Sequence, residues 1–141
     1  MLNSHSGRAV RAGLFYFALV FAAGTLLGLV RVPFLVPRLG ERTAELLEAP
    51  VMLIVIFFAS RFIVRRFGLE SSPRTALAAG LCALALLIAA ELSLATALTG
   101  SSVGAYLSRR DPVSGSVYLG SLVLYAVLPW LHARRSRNSA T

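Results

Sequence analysis

Residues 73–98 read PRTALAAGLCALALLIAAELSLATAL. Arg74 and Glu91 are the only charged side chains in the run. Alanine and leucine dominate it, and it lacks the period-two alternation of a half-buried strand. Ser72-Pro73 reads as an N-cap followed by proline at the first helical position. Gly100 falls just past the end, where a helix C-terminus favours glycine. At about 1.5 Å per residue this helix outreaches a hydrocarbon core about 30 Å thick. The stretch is therefore read as a membrane-spanning helix.

Three further apolar segments surround it. They run from about 13 to 35, 45 to 65 and 112 to 131. Asp111-Pro112 repeats the N-cap and proline signal. Pro33 and Pro37 are expected to end the first helix. The second segment spans a bilayer only if its helix begins before Pro50. The polar ends, 1–10 and 133–141, are expected to be loose. An uncleaved first segment is expected, because its apolar run is long and no convincing A-x-A site follows. The fold expected is all-α: an integral membrane bundle of four transmembrane helices forming one domain.

Composition narrows the function classes. The chain has 141 residues, 57% hydrophobic and 14% charged, against about 25% charged in soluble domains. That excludes disorder and an ordinary soluble globule. Cys82 is the only cysteine, and the two histidines, His5 and His132, lie near opposite ends. No disulfide framework, metal site or cofactor is expected. All fourteen basic residues are arginine, against six acids, for a net charge of +8. With no lysine, Schiff-base chemistry and a phosphate-loop lysine are excluded. The arginines flank apolar runs and are not interleaved with aromatics, so they report topology and contact lipid, not nucleic acid.

With the N-terminus in the cytoplasm, Arg8, Arg11, Arg65, Arg66, Arg74, Arg134, Arg135 and Arg137 lie inside. Arg31, Arg38, Arg42, Arg109 and Arg110 lie at the outer face. Eight against five favours an N-in/C-in arrangement in a bacterial inner membrane, with Trp130 as an interfacial anchor.

The polar residues are most informative when placed by depth. Arg31 lies about 27 Å past Gly13, Glu91 about 24 Å past Thr75, and Glu48 about 25 Å before Arg65. All three are expected at one level in the outer leaflet. Tyr106, Arg110 and Asp111 lie in the loop above them. A charge at the bilayer centre costs roughly 2.5–3.5 kcal/mol or more, so Glu91 is expected to face the bundle. Arg31 is its nearest cation by depth. Gly24 and Gly28 form a GxxxG face that Arg31 continues, which directs it toward a helix contact. That face serves either internal packing or a dimer.

Plainer readings stand beside these. Glu91 is equally a structural ion-pair partner. Arg31 and Arg61 can snorkel to headgroups. Glu41, Glu45 and Glu48 share a helix face that can be a solvated stripe ahead of Pro50. Asp111 is first of all an N-cap, the tyrosines are belt or packing residues, and Cys82 is a packed thiol.

Enzyme motifs such as HExxH, GxSxG and phosphate loops are missing from the sequence. The stretches PRLGERTAELLEAP and SRRDPVSGSVYLG resemble those of small, uncharacterised bacterial four-span inner-membrane proteins. That resemblance implies a four-helix membrane fold over most of the chain and no assigned activity. Multidrug-type four-helix transporters carry a glutamate in the middle of their first helix, where this chain has none. Fluoride channels have a glycine-rich start and polar residues it also lacks.

Three functions follow as expectations. The first is binding or translocation of a small polar solute, a proton or a lipid headgroup at the Arg/Glu cluster of Arg31, Glu45, Glu48 and Glu91, lidded by Tyr106, Arg110 and Asp111. The second is a non-catalytic subunit or assembly factor, with the Gly24/Gly28 face binding a second copy or a partner membrane protein. The third, and least favoured, is an intramembrane acid/base enzyme using Glu48 and Glu91.

Overall fold

The computed structural model describes residues 2–100, 102–108 and 111–139; the side chains of Leu2, Asn3, Val103, Tyr106 and Leu107 are not among those described. Every element among the described residues is helical. They are α1 (Leu2–Val30), a π turn (Arg31–Leu35), α2 (Val36–Leu39), α3 (Glu41–Arg66), a 3₁₀ turn (Leu69–Ser71), α4 (Pro73–Thr99), α5 (Val103–Ser108) and α6 (Pro112–Ser139). Four of the helical stretches, Ser4–Leu39, α3, α4 and α6, are long and apolar enough to cross a membrane. The described polar ends continue α1 and α6 as helix.

The four long helices close into a ring. α1 packs on α4 and α3, and α6 packs on the same two from the opposite corner. The start of α1, the end of α6, the 67–72 link and nine of the fourteen arginines therefore gather at one end, here the basic end. Its only acid is Glu70. The far end carries Arg31, Arg42 and most of the acids.

Pro33 does not end the first helix, contrary to the sequence expectation. Its missing N–H and its ring forbid the ordinary bond to the carbonyl four residues back. The helix widens by one residue instead, and the Val36 N–H donates to the Arg31 carbonyl five residues earlier. Pro37 then falls in the first turn of α2, where it is harmless. The chain turns only at Gly40, with φ +84°, a conformation glycine adopts without strain. α3 starts directly after it, so the second span includes the Glu41–Glu48 stretch and runs through Pro50.

Small residues set the helix spacing. Thr75, Ala76, Ala79, Gly80, Ala83 and Leu87 form the buried face of α4. A Cβ on Gly13 would stand 2.9 Å from the Ala79 carbonyl oxygen, and one on Gly80 would overlap the Ala126 carbonyl. These two glycines, not Gly24 and Gly28, mark the close helix contacts within the chain. A Cβ on Gly24 would meet only the Met52 Cε, at 3.7 Å, and one on Gly28 nothing within 4 Å among the described residues.

Burial is uneven along the bundle. Among the described residues, none of α1 beyond Val20 and none of α4 beyond Leu87 is buried. On α3 only Ala44 is buried before Ile56, and on α6 only Ser114 before Tyr125. The basic half is tightly packed and the far half is loose.

Tyr16 and Tyr125 seal the boundary between the two halves. Both are fully buried, with ring centroids 4.4 Å apart. Pro129 lies four residues after Tyr125 inside α6 and has no N–H for the Tyr125 carbonyl. The Tyr16 hydroxyl donates to that carbonyl at 2.7 Å instead. In lipid an unsatisfied carbonyl is costly. Tyr16→Phe is therefore expected to destabilise the bundle by about 1 kcal/mol. Adding Pro129→Ala should remove most of that penalty, because the helix then satisfies the carbonyl itself. Unfolding of the four variants in detergent checks this; an additive double mutant would refute it.

Candidate functional site

The site is built on α6. Ser114, Tyr118, Tyr125 and His132 recur at spacings of four, seven and seven, which places them on one face of a helix. Three of them meet a polar group from a different helix. The Tyr118 hydroxyl donates to the Glu91 carboxylate of α4. Tyr125 accepts the Tyr16 hydroxyl of α1 on its carbonyl. His132 Nδ1 lies 2.8 Å from Ser60 Oγ of α3, and its ring meets the Phe57 ring edge-on at 4.8 Å. A polar seam thus runs along the inside of an otherwise apolar bundle.

The buried Tyr125 hydroxyl of the seam lacks a hydrogen-bond partner among the described residues, while the buried Ser114 Oγ lies against Asp111. Ser114 is 3% exposed and Tyr125 is fully buried. The Tyr125 phenol sits within electrostatic reach of Glu91 and Cys82. Orphaned hydroxyls of this kind are rare and mark places where a further polar group is accommodated.

At the far end, Arg31 Nη1 lies 3.2 Å from Glu48 Oε2. Both side chains are partly shielded, 26% and 15% exposed. Their contact is an ion pair without hydrogen-bond alignment, since the same oxygen accepts no hydrogen bond. Glu45 is half-buried one turn earlier on α3. Glu48 and Glu91 are both expected partners of Arg31; the structure pairs it with Glu48. Equal depth left the angular position open, and α1 touches both α3 and α4.

Asp111 does two things. Its Oδ2 caps α6 by accepting from the Val113 and Ser114 amides at 3.1 and 2.9 Å. Its Oδ1 receives Arg42 Nε and Nη2 at 2.9 and 2.6 Å. The Arg42 hydrogen bonds, reinforced by the Ser114 amide, pull its carboxyl down to about 2. A depressed carboxyl stabilises the fold above its ordinary value near 4 and loses that contribution as pH falls toward 2. The pair therefore ties α3 to the start of α6 at any ordinary pH. Arg110 and the Tyr106 side chain, the other expected parts of this lid, lie outside the described residues.

Of the expected residues, the structure brings Arg31 to Glu48, seats Glu45 beside them, and places Asp111 on Arg42. Glu91 belongs instead to the α6 seam with Tyr118. Sequence reasoning missed Tyr118, Tyr125, Tyr16, Ser60, His132 and Arg42. A signal existed for the first two and His132: two tyrosines and a histidine at heptad spacing in one apolar run. Among the described residues no group of acids, histidines and cysteine is placed to hold a metal.

The chain matches no known family, no curated protein and no solved structure.

Proposed function

We propose that this multi-pass membrane protein binds a small polar species in the loose half of its bundle and moves a proton along the α6 seam. The observation that carries this reading is the half-buried Glu91–Tyr118 hydrogen bond between two spanning helices in the loosely packed half. An ionisable residue at such depth is expensive and marks an ion or solute path. Here Glu91 takes up and releases the proton. Tyr118 holds its carboxyl in place, and the Arg31–Glu48 pair sets the potential at the mouth. The stacked tyrosines Tyr16 and Tyr125 close the way to the basic end. Passage requires the Tyr125 hydroxyl to hand the proton toward His132, about 10 Å further along α6, through water. The bacterial inner membrane is the setting this reading assumes, in keeping with the resemblance of PRLGERTAELLEAP and SRRDPVSGSVYLG.

Proteoliposomes enclosing a pH-sensitive dye test it. An imposed proton gradient should decay at least tenfold faster with wild-type protein than in empty vesicles. Glu91→Gln should return decay to the empty-vesicle rate, and Tyr118→Phe should slow it partially. Wild-type vesicles as tight as empty ones would refute the reading.

A second reading rests on α1. A Cβ on Gly28 would meet nothing within 4 Å among the described residues, and Leu26, Leu29 and Val30 around it are exposed. A Gly24–Gly28 face left open at its Gly28 end suits a neighbouring helix, as in a non-catalytic subunit or a homodimer. Sedimentation of Gly28→Leu against wild type separates the two: only the subunit reading expects the particle mass to fall.

A further inference from the structure

The basic end carries a second set of polar groups, which shares only His132 with the seam. A cleft of about 500 Å³ opens between α3 and α6. Arg61, Arg65 and Arg135 line it, with His132, and Phe57 and Val64 form its apolar wall. Arg61 and Arg65 stand one turn apart on α3, and Arg135 follows His132 by one turn on α6. None of the three guanidinium groups makes an ion pair among the described residues. Glu70, at the rim, is the only acid in the cleft. The cleft therefore keeps a surplus of two positive charges.

Arg61 is the telling residue. It stands about 7.5 Å inside the end of α3, on the membrane side of Arg65. A guanidinium at that level is stabilised by an anion at the same level. Its planar fork matches phosphate oxygens in pairs. His132 is held in place by Ser60 and Phe57, so it forms a fixed wall. Basic pockets between spanning helices are suited to anionic headgroups.

We infer that the Arg61–Arg65–Arg135 cleft binds a phosphate group at the membrane surface, supplied by the headgroup of an anionic phospholipid. The exposed Phe57 ring of the wall takes the upper part of the acyl chain while the three arginines share the phosphate. A neighbouring basic cleft, lined by Arg74, Arg134 and Arg137, is a built-in control. There Arg134 already lies over the Trp130 ring, 5.1 Å from its centre.

The test uses the full chain in detergent. Thermal unfolding is followed against phosphatidylglycerol, phosphatidylcholine and inorganic phosphate, and native mass spectrometry counts the retained lipid. Phosphatidylglycerol should stabilise the protein and remain bound, and phosphatidylcholine should not. Arg61→Gln and Arg135→Gln, both at exposed positions, should each weaken that binding about tenfold. Arg61→Lys should fall between, and Arg74→Gln should leave binding unchanged. Protection by inorganic phosphate alone, with the same arginine dependence, keeps the phosphate site and makes its source soluble. Equal losses in Arg61→Gln and Arg74→Gln would mean diffuse charge attraction and overturn the inference. So would the lack of any response to phosphatidylglycerol or phosphate. Either failure leaves the Glu91 reading standing, since no residue tested here belongs to its proton-binding pair.

Discussion

Gly80→Ala is expected to destabilise the bundle strongly, and more than Gly13→Ala or Gly28→Ala. The new Cβ would overlap the Ala126 carbonyl oxygen and stand 3.0 Å from its carbon. The obstacle is helix backbone, which cannot rotate away as a side chain can. α4 and α6 must separate, and the neighbouring contacts of Ala79, Ala83 and Tyr125 loosen with them. Overpacking typically costs about 1–3 kcal/mol, and a backbone obstacle puts this site near 3 kcal/mol. In lipid there is no compensating hydrophobic force between helices, so packing carries the association. Gly28→Ala is the matched control. Nothing lies within 4 Å of its added methyl, and alanine favours helix over glycine by about 1 kcal/mol. Unfolding in a denaturing detergent should rank the variants Gly28→Ala, Gly13→Ala, Gly80→Ala in falling stability. Gly80→Ala as stable as wild type would show that the α4–α6 spacing is not what the structure describes.

Arg31→Met is expected to cost about 2 kcal/mol and to be repaired by a second substitution. Removing one partner of a shielded ion pair leaves the other charge without compensation. Fully buried pairs lose about 3–5 kcal/mol in this way. Arg31 and Glu48 retain 26% and 15% exposure, which lowers the expected loss. The double variant Arg31→Met/Glu48→Leu replaces two charges by apolar groups and should recover most of the stability. Arg31→Met/Glu91→Leu should not, because Arg31 pairs with Glu48. Double-mutant cycles on both pairs decide between the partners. Coupling at Glu91 and none at Glu48 would reverse the assignment. The same cycle bears on function. If the Arg31–Glu48 pair sets the potential at the mouth, the repaired double variant will be stable yet altered in proton decay.

The spans were legible in the sequence because insertion into lipid is nearly a one-dimensional property. Each residue of 73–98 contributes its own transfer free energy, and caps such as Asp111 and Gly100 act on their immediate neighbours. Proline misled the reading at Arg31–Leu35. The rule that proline breaks a helix is local, but the π turn that absorbs Pro33 keeps the chain in a membrane-spanning path. In the same way Pro129 is a local loss, and Tyr16, 109 residues away in the chain, makes it good.

Depth can be counted along each helix, which makes Arg31, Glu48 and Glu91 candidates for one level. Composition and hydropathy determined four spanning helices, an arginine-rich end and the cost of Glu91 in the apolar interior. Only the tertiary structure decided that Arg31 meets Glu48, that Glu91 meets Tyr118, and that Gly13 and Gly80 hold the helices close. Those facts depend on the rotation of each helix about its own axis. That rotation is settled by the packing of whole helix faces against one another, and no single segment carries it.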